Sequence, residues 1–218
     1  MNSYIKKFSD FICDIIFTVK CPYCGKVIQR QEYACDDCKK KFPVEFLTSY
    51  ATGGYKTISP FPYDGIFANA VKSFKFGDNP YYAKQLSFPL STEILRGFDI
   101  SEIDLITCVP MHKNTLRQRG YNQAELLAKH CSEILQIDYA DVLEKHKENL
   151  FQHELKGARR AENVKGVYRV PVKSAVKDKN ILIIDDIITT GSTLGECCHI
   201  LKKAECGKIF CATLCTVI

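Results

Sequence analysis

The feature that most constrains the fold is a run of four apolar residues, Ile181–Ile184, that leads directly into Asp185 and Asp186. The run does not alternate apolar with polar side chains, which is typical of a strand covered on both faces. Such strands occur in parallel sheets flanked by helices, and ligands bind at the carboxyl edge of these sheets. We therefore expect an α/β protein with a ligand site beside the two acids.

The rest of the chain supports this class, because stretches typical of strands and of helices follow one another. Strands are predicted at residues 104–110, 142–146, 165–171, 180–186 and 208–218, and helices at 66–76, 82–95, 119–136 and 193–204. The 218 residues are 46% hydrophobic and 25% charged, which excludes a mainly disordered chain. We expect an N-terminal module over residues 1–44 and an α/β domain over residues 45–218.

The first twenty residues combine an early lysine pair with apolar side chains, as a signal peptide does. However, Asp10 and Asp14 interrupt the apolar stretch, and no small-residue cleavage site follows. The apolar side chains fall on one helical face: Ile5, Phe8, Ile12, Ile15, Ile16 and Val19. We expect an amphipathic helix packed on the body of a cytoplasmic protein with no membrane partner. A helix lying on a membrane surface is the alternative, which the two acids disfavour.

Four of the twelve cysteines form a compact pattern of two Cys-x-x-Cys pairs, Cys21/Cys24 and Cys35/Cys38. Each pair places two thiolates on one turn, and two pairs supply the four sulfur ligands of tetrahedral Zn²⁺. A segment of this length cannot build a hydrophobic core, so metal binding would supply much of its folding free energy. We predict a structural zinc ribbon with no open coordination position for catalysis.

The segment after the predicted strand carries the clearest functional signal. A hydroxyl-rich stretch begins three residues after Asp186 and leads into a predicted helix. It consists of Thr189, Thr190, Gly191, Ser192 and Thr193. Backbone N–H groups of such a loop bind phosphate, and Gly191 would let the backbone approach it closely. The two acids suit the vicinal hydroxyls of a sugar, or Mg²⁺. The combination indicates a ribose 5-phosphate site, since an acidic strand end with one helix cap would not explain this density of groups.

Two other regions have both a functional and an ordinary interpretation. Residues 109–123 contain no acid and three cations, Lys113, Arg117 and Arg119. This charge pattern is expected of an anion-binding site, but also of the solvent-exposed start of a helix. The stretch VKSFKFGD at residues 71–78 offers Lys72 and Lys75 to nucleic acid, although an ordinary helix face is the favoured interpretation. The eight cysteines outside the two pairs fall on apolar faces, which favours core packing.

Together these motifs resemble known families. The stretch ILIIDDIITTGST resembles the phosphoribosyl pyrophosphate (PRPP) motif of type I phosphoribosyltransferases. The ordered blocks CPYCG with CDDC, VKSFKFGD, VPMHKNTLRQRGYNQAELLA, the stretch from Gln152 to Val164, and DDIITTGST resemble the ComF family of competence-associated proteins. This resemblance implies a type I phosphoribosyltransferase fold, in which a parallel sheet of about five strands flanked by helices carries a hood, preceded by the zinc ribbon.

The resemblance also implies roles for particular residues. The loop after the first core strand, Val109, Pro110, Met111, His112 and Lys113, matches the pyrophosphate loop. Asn122 is the expected cap of the following helix. Residues 147–165 match a mobile loop, with Gln152, Arg159, Arg160 and Asn163 as its candidate residues. Arg119, and either Arg159 or Arg160, would stabilise charge on the leaving pyrophosphate, with Arg160 favoured by its spacing from Asn163. Many relatives carry a Thr just before the residue that matches Gln152, whereas this chain has Leu150 and Phe151 there.

Two functions from different classes follow from this resemblance. The first is an enzyme that transfers a phosphoribosyl group from Mg–PRPP to an unknown acceptor, with Asp185 and Asp186 holding ribose and metal. The second is a non-catalytic competence factor that binds PRPP or ribose 5-phosphate, single-stranded DNA and a competence helicase. Both use structural Zn²⁺ and Mg²⁺ delivered with PRPP. A repressor is disfavoured because the sequence shows no helix-turn-helix pattern.

The net charge of +5 and the basic stretches at residues 113–119 and 145–179 predict weak, sequence-tolerant binding of single-stranded DNA. Affinity should fall steeply between roughly 50 and 200 mM salt, because phosphate contacts release counterions. Fluorescence anisotropy with a labelled oligonucleotide measures this slope. Binding that ignores salt, or no binding at low salt, would contradict the prediction.

Overall fold

A computed structural model describes residues 18–147 and 166–217 of the chain. The predicted amphipathic helix at residues 5–19 lies almost entirely outside the described residues. The strands are β1 (Leu47–Ala51), β2 (Tyr55–Ser59), β3 (Phe61–Pro62), β4 (Leu105–Cys108), β5 (Glu144–Lys145), β6 (Tyr168–Arg169), β7 (Ile181–Ile188) and β8 (Ile209–Thr216). The α-helices are α1 (Asp36–Lys39), α2 (Gly65–Phe76), α3 (Tyr82–Gly97), α4 (Lys113–Arg119), α5 (Gln123–Leu135) and α6 (Ser192–Lys203). In this part of the chain no helix combines the length and the apolar character that crossing a bilayer requires.

The main sheet has the strand order β1-β2-β8-β7-β4, with β3 also paired to β8. Strands β2, β3, β7 and β4 run parallel to their neighbours in the core of the sheet, whereas β1 forms an antiparallel hairpin with β2 at one edge. This mixed α/β sheet confirms the predicted fold class. Strands β5 and β6, predicted from residues 142–146 and 165–171, instead form a separate antiparallel ribbon.

Strand β7 lies at the centre because it can be buried on both faces. Successive side chains of a strand point to opposite sides of the sheet. Leu182 and Ile184 pack into the layer formed by α2, α3 and α5, whereas Ile181 and Ile183 pack into the layer formed by α6. All four side chains are fully buried, and each contributes about 1.5–3 kcal/mol relative to an exposed position.

The predicted helix at residues 119–136 corresponds to α5, which begins four residues later than predicted. Before it, α4 ends at Arg119 and is followed by Gly120, whose φ of 81° is the left-handed conformation that favours glycine at a helix end. Helix α5 then begins after Asn122, whose side-chain oxygen accepts a hydrogen bond from the N–H of Ala124 at 3.1 Å. The predicted cap at Asn122 is therefore confirmed, whereas the predicted start of the helix at residue 119 is too early.

The N-terminal module is attached to the α/β domain through aromatic rings. Tyr23 lies between the two cysteines of the first pair and is only 4% exposed. Its ring centroid lies 5.0 Å from that of Phe42, 5.6 Å from that of Phe61 and 5.9 Å from that of Phe67. Phe61 and Phe67 belong to β3 and α2, so one aromatic cluster joins the cysteine turn to the larger domain. The boundary at residue 44 thus separates sequence motifs but not separate cores.

This cluster predicts different effects for two substitutions of Tyr23. Tyr23→Ala should lower the free energy of unfolding by about 3–5 kcal/mol, because it removes a buried ring. Tyr23→Phe should change it by less than about 1 kcal/mol, since the phenol oxygen has no hydrogen-bond partner among the described residues. Urea unfolding of the metal-loaded protein measures both. A large loss in Tyr23→Phe would show that the hydroxyl, not the ring, connects the module.

Candidate functional site

Asp185 and Asp186 lie within β7, which continues to Ile188. The sequence predicts that the strand ends at the acids, so this boundary is wrong by two residues. The extension follows from pairing with β8, where Asp185 opposes Thr213 and Ile188 opposes Thr216. Because strand side chains alternate, Asp185 continues the face of Ile183 and Asp186 continues the face of Ile184. The two carboxylates therefore face different layers of the protein.

Asp186 forms an ion pair with Lys75, near the end of α2. The Nζ of Lys75 lies 2.8 Å from Oδ2 of Asp186, and the two side chains are only 19% and 12% exposed. Such a shielded pair is firmly held, since removing one member leaves a poorly hydrated charge behind. An ordinary helix face is therefore the wrong interpretation for Lys75.

Asp185 has a different environment, on the side of β5 and β6. Burial, and then the charge of Asp186, raise the pKa of Asp185 to about 7. Lys75 and Lys145 act in the opposite direction and favour the carboxylate. Its Oδ1 also accepts a hydrogen bond from the N–H of Asp186 at 2.8 Å. Without a ligand, the acid pair therefore carries less than two full negative charges at neutral pH.

The predicted phosphate loop connects β7 to α6. Helix α6 begins at Ser192 and spans twelve residues, so its first N–H groups point towards the loop. The hydroxyl oxygens of Thr190 and Ser192 lie 3.0 Å apart, and the N–H of Ser192 faces the oxygen of Thr190 at 3.4 Å. Thr189 and Thr190 are exposed, while Thr193 is half-buried. This geometry suits an anion at the helix N-terminus.

The structure gives a different reason for the glycine in this loop. Gly191 has a φ of 69°, and a Cβ added there would lie 2.6 Å from the Cα of Ala51 and 2.9 Å from the carbonyl oxygen of Tyr50. The N–H of Thr52 also donates to the carbonyl oxygen of Gly191 at 3.1 Å. The absent side chain therefore makes room for the β1–β2 hairpin, and the predicted approach of phosphate to Gly191 stays a prediction.

The predicted pyrophosphate loop follows β4 and lies beside the acid strand. The N–H of Val109 donates to the carbonyl oxygen of Ile184 at 3.0 Å. The side-chain amide of Asn122 donates to the carbonyl oxygen of Val109 at 3.1 Å, so one residue caps α5 and holds the loop. His112 caps α4 by accepting from the N–H of Asn114 at 3.3 Å, and Lys113 is exposed. Pro110 and Met111 are half-buried between them.

Two sequence blocks that are far apart in the chain meet near the acids. The guanidinium of Arg119 lies over the ring of Phe76, 5.2 Å from its centroid. The rings of Phe74 and Tyr121 lie 5.9 Å apart, and the Tyr121 hydroxyl donates to the carbonyl oxygen of Phe74. Arg119 is thus anchored beside the helix end that supplies Lys75. The helical spacing of Val71, Phe74 and Lys75 was visible in the sequence, but nothing in it pointed to Asp186.

The candidates Gln152, Arg159, Arg160 and Asn163 lie outside the described residues. The structure does describe the residues that follow them. The N–H of Gly166 donates to a carboxylate oxygen of Glu196 on α6 at 2.9 Å. Tyr168 is buried nearby, with Lys145 5.7 Å from the centre of its ring.

The four paired cysteines form one cluster. The sulfur atoms of Cys21, Cys24, Cys35 and Cys38 all lie within 4.8 Å of one another. Gly25 turns the chain after the first pair with a φ of 76°, and its N–H donates to the carbonyl oxygen of Cys21 at 2.9 Å. Four sulfur atoms at this spacing fit Zn²⁺. Burial raises the pKa of the Cys21 and Cys38 thiols, so metal binding would release protons.

The other cysteines that the structure describes are buried, as predicted for core packing. They are Cys108, Cys131, Cys197, Cys198, Cys206, Cys211 and Cys215. Cys13 lies outside the described residues. Burial raises the pKa of Cys108 and of Cys131 to about 12, which keeps these thiols protonated.

Part of the chain matches a known family, and its fold is similar to that of solved structures. The family model described as "Phosphoribosyl transferase domain" matches residues 121–218, which include β7, the phosphate loop and α6. Solved structures that resemble the chain include an adenine phosphoribosyltransferase, with a TM-score of 0.42 and 13% identity over 82% of this chain and 98% of that one. An allosteric regulatory enzyme of purine biosynthesis matches 59% of this chain and 24% of its own, with a TM-score of 0.40 and 19% identity.

Several curated proteins match over most of the chain. The DNA utilization protein YhgH of Escherichia coli K12 is 25% identical over 202 residues, which cover 91% of this chain and 84% of that protein. Competence protein F of Haemophilus influenzae is 28% identical, covering 84% and 78% of the two chains. Competence protein ComFC of Streptococcus pneumoniae is 27% identical, covering 84% and 74%.

The sheet and the matched segment define a domain of the phosphoribosyltransferase fold, preceded by a four-cysteine module of the zinc-ribbon kind. Relatives named as competence and DNA utilization proteins match over most of the chain at 25–28% identity. They support the ComF family that the ordered motifs predict.

The cysteine cluster predicts one tightly bound zinc ion per chain. Cys21→Ser and Cys38→Ser should each lose the metal and lower the thermal unfolding temperature, because metal binding contributes to folding. Elemental analysis and thermal unfolding measure the two effects. Cys206→Ala is the control, since this buried thiol lies outside the cluster and its loss should leave the zinc content unchanged. A metal-free wild-type protein with the same unfolding temperature would contradict the prediction.

Because Gly191 lies against Ala51, replacing Gly191 by alanine should carry a steric penalty. Gly54, which has a similar backbone conformation but open space around it, should carry no such penalty. Gly54 has a φ of 82°, and a Cβ there would meet nothing within 4 Å. Gly54→Ala should therefore cost about 1–2 kcal/mol from the left-handed conformation alone. Gly191→Ala should cost about 1–3 kcal/mol more, because the hairpin must shift. Urea unfolding compares the two, and equal losses would show that the close contact is not required.

Proposed function

We propose that the chain binds Mg–PRPP at the carboxyl edge of the sheet and transfers its phosphoribosyl group to an acceptor. The observation that carries this proposal is the succession of Asp185, Asp186 and the loop from Thr189 to Thr193 at the start of α6. The acids offer acceptors for ribose hydroxyls, and the helix N-terminus offers donors for the 5-phosphate. The pyrophosphate loop at Val109 lies one strand away, as a ligand with phosphates at both ends of a ribose requires.

In the proposed reaction, the bond between C1 of the ribose and the pyrophosphate oxygen breaks, and the acceptor forms the new bond to C1. The pyrophosphate leaves with the bonding electron pair. Residues 109–113 and Arg119 would stabilise its negative charge, and the family resemblance assigns the same role to Arg160. The phosphate loop and the acids would hold the ribose in place, which lowers the entropic part of the barrier.

Magnesium would bind with PRPP rather than at a site of its own. Carboxylate oxygens are ligands that Mg²⁺ accepts, so Asp185 and Asp186 fit this role. When bound, the metal neutralises charge on the pyrophosphate. The ion pair between Lys75 and Asp186 already neutralises one of the two carboxylates in the free protein. We therefore expect metal to bind weakly unless PRPP is present.

A second candidate function keeps the binding site but omits the reaction. Relatives named as competence and DNA utilization proteins support a role in DNA uptake. In this alternative, the PRPP pocket acts as a sensor or assembly site, while the zinc module and basic surfaces bind single-stranded DNA or a competence helicase. The first candidate requires release of pyrophosphate, and the second does not.

Calorimetry with the metal-loaded protein tests the shared site. Mg–PRPP and ribose 5-phosphate should both bind wild type, and the double variant Asp185→Asn with Asp186→Asn should lose several kcal/mol of Mg–PRPP binding, at about 1.5–3 kcal/mol per charged hydrogen bond. Circular dichroism should show that the variant remains folded. If it binds Mg–PRPP as tightly as wild type, the site is elsewhere.

A screen for pyrophosphate release then separates the two candidates. Wild-type protein is incubated with Mg–PRPP and candidate acceptors, including nucleobases and single-stranded DNA. Release that depends on an acceptor, and that the double Asn variant lacks, supports the enzyme. Tight binding of Mg–PRPP without release supports the sensor.

A further inference from the structure

Lys75 contacts the candidate site although it belongs to neither the PRPP motif nor the pyrophosphate loop. It lies near the end of α2, more than one hundred residues before Asp186 in the chain, and its Nζ is 2.8 Å from Oδ2 of that residue. Its side chain is 19% exposed, so this cation is shielded but not sealed from the solvent at the sheet edge. None of the roles proposed above uses this side chain on the ligand.

The position of Lys75 relative to the pyrophosphate loop follows from the strand register. Cys108 of β4 pairs with Ile184 of β7, and the next N–H, that of Val109, donates to the Ile184 carbonyl oxygen. Continued at the same spacing, this register places Pro110 beside Asp186. The ammonium group that contacts Asp186 therefore lies at the start of the pyrophosphate loop.

Side-chain contacts hold the end of α2 in this position. The Tyr121 hydroxyl donates to the carbonyl oxygen of Phe74, and Arg119 lies over the ring of Phe76. Asn122, which follows Tyr121, donates to the carbonyl oxygen of Val109 in the loop itself. A short chain of contacts thus connects the residues on either side of Lys75 to the pyrophosphate loop.

We propose that Lys75 is a pyrophosphate-binding residue of the PRPP site, held by Asp186 in the free protein and transferred to a pyrophosphate oxygen when the ligand binds. The inference rests on the proposed function. In the exchange, Asp186 accepts ribose hydroxyls in place of the ammonium group, while Lys75 gains an oxygen of higher negative charge. Neither group is left without a partner, which is the condition for moving a shielded charge at low cost.

This role predicts a selective loss of affinity in Lys75→Met. The variant should bind Mg–pyrophosphate and Mg–PRPP about tenfold or more weakly, because a charge-assisted hydrogen bond is lost. Ribose 5-phosphate has no pyrophosphate, so its affinity should change less than about threefold. Lys75→Arg keeps a donor of the same charge and should retain most of the pyrophosphate affinity. The control is Lys72→Met, since Lys72 lies on the same helix but is exposed.

Calorimetry of the metal-loaded full chain with these three ligands measures the pattern. Equal losses for ribose 5-phosphate and Mg–PRPP would overturn the inference, because Lys75 would then only hold Asp186 in place. Unchanged pyrophosphate affinity in Lys75→Met would overturn it as well. Wild-type protein that binds none of the ligands would instead refute the proposed function, and the inference with it.

A second comparison keeps the test valid if Lys75→Met unfolds because Asp186 loses its partner. Asp186→Asn and the double variant Lys75→Met with Asp186→Asn leave no shielded anion at this position. If Lys75 binds pyrophosphate, the double variant should bind Mg–pyrophosphate about tenfold or more weakly than Asp186→Asn alone. Equal affinities in the two variants would overturn the inference.

Discussion

The burial of β7 on both faces is the constraint on which the rest of the structure depends. Four consecutive apolar side chains divide between two helical layers, so the strand must lie inside the sheet. The same alternation assigns Asp185 to one layer and Asp186 to the other. The helical layer on one side therefore supplies Lys75 of α2 to Asp186, whereas Lys145 of β5 acts on Asp185 from the other side.

The contacts around Asp186 show how distant segments are brought to a strand edge. Lys75 lies on α2, and the predicted pyrophosphate loop follows β4 and lies beside β7, because Val109 is hydrogen-bonded to Ile184. Asn122 contributes twice, once as the cap of α5 and once as a donor to the loop. The site is therefore supported by backbone hydrogen bonds and helix termini, which fix its geometry more firmly than flexible side chains would.

The zinc-ribbon module is integrated with the α/β domain and does not merely precede it. The cysteine cluster needs only a short chain, but the tyrosine inside its first turn packs against Phe61 and Phe67 of the larger domain. Cys21 and Cys38 belong to the same buried cluster as the residues of α2 and α3. A metal bound by these cysteines would therefore stabilise a core to which the α/β domain also contributes.

The sequence by itself determined the features that depend on near neighbours in the chain. These include the unbroken apolar run of β7, the cap at Asn122, the spacing of the four cysteines and the ordered motifs that resemble the ComF family. The tertiary structure alone decided which surfaces meet, because sequence periodicity gives the face of an element but not its partner. Lys75 could not be assigned to Asp186 from its spacing on α2, nor Gly191 to Ala51 from its place in the loop. Both contacts form where separate elements of the fold pack together. The sequence pattern of one element does not show which residue of another element will contact it.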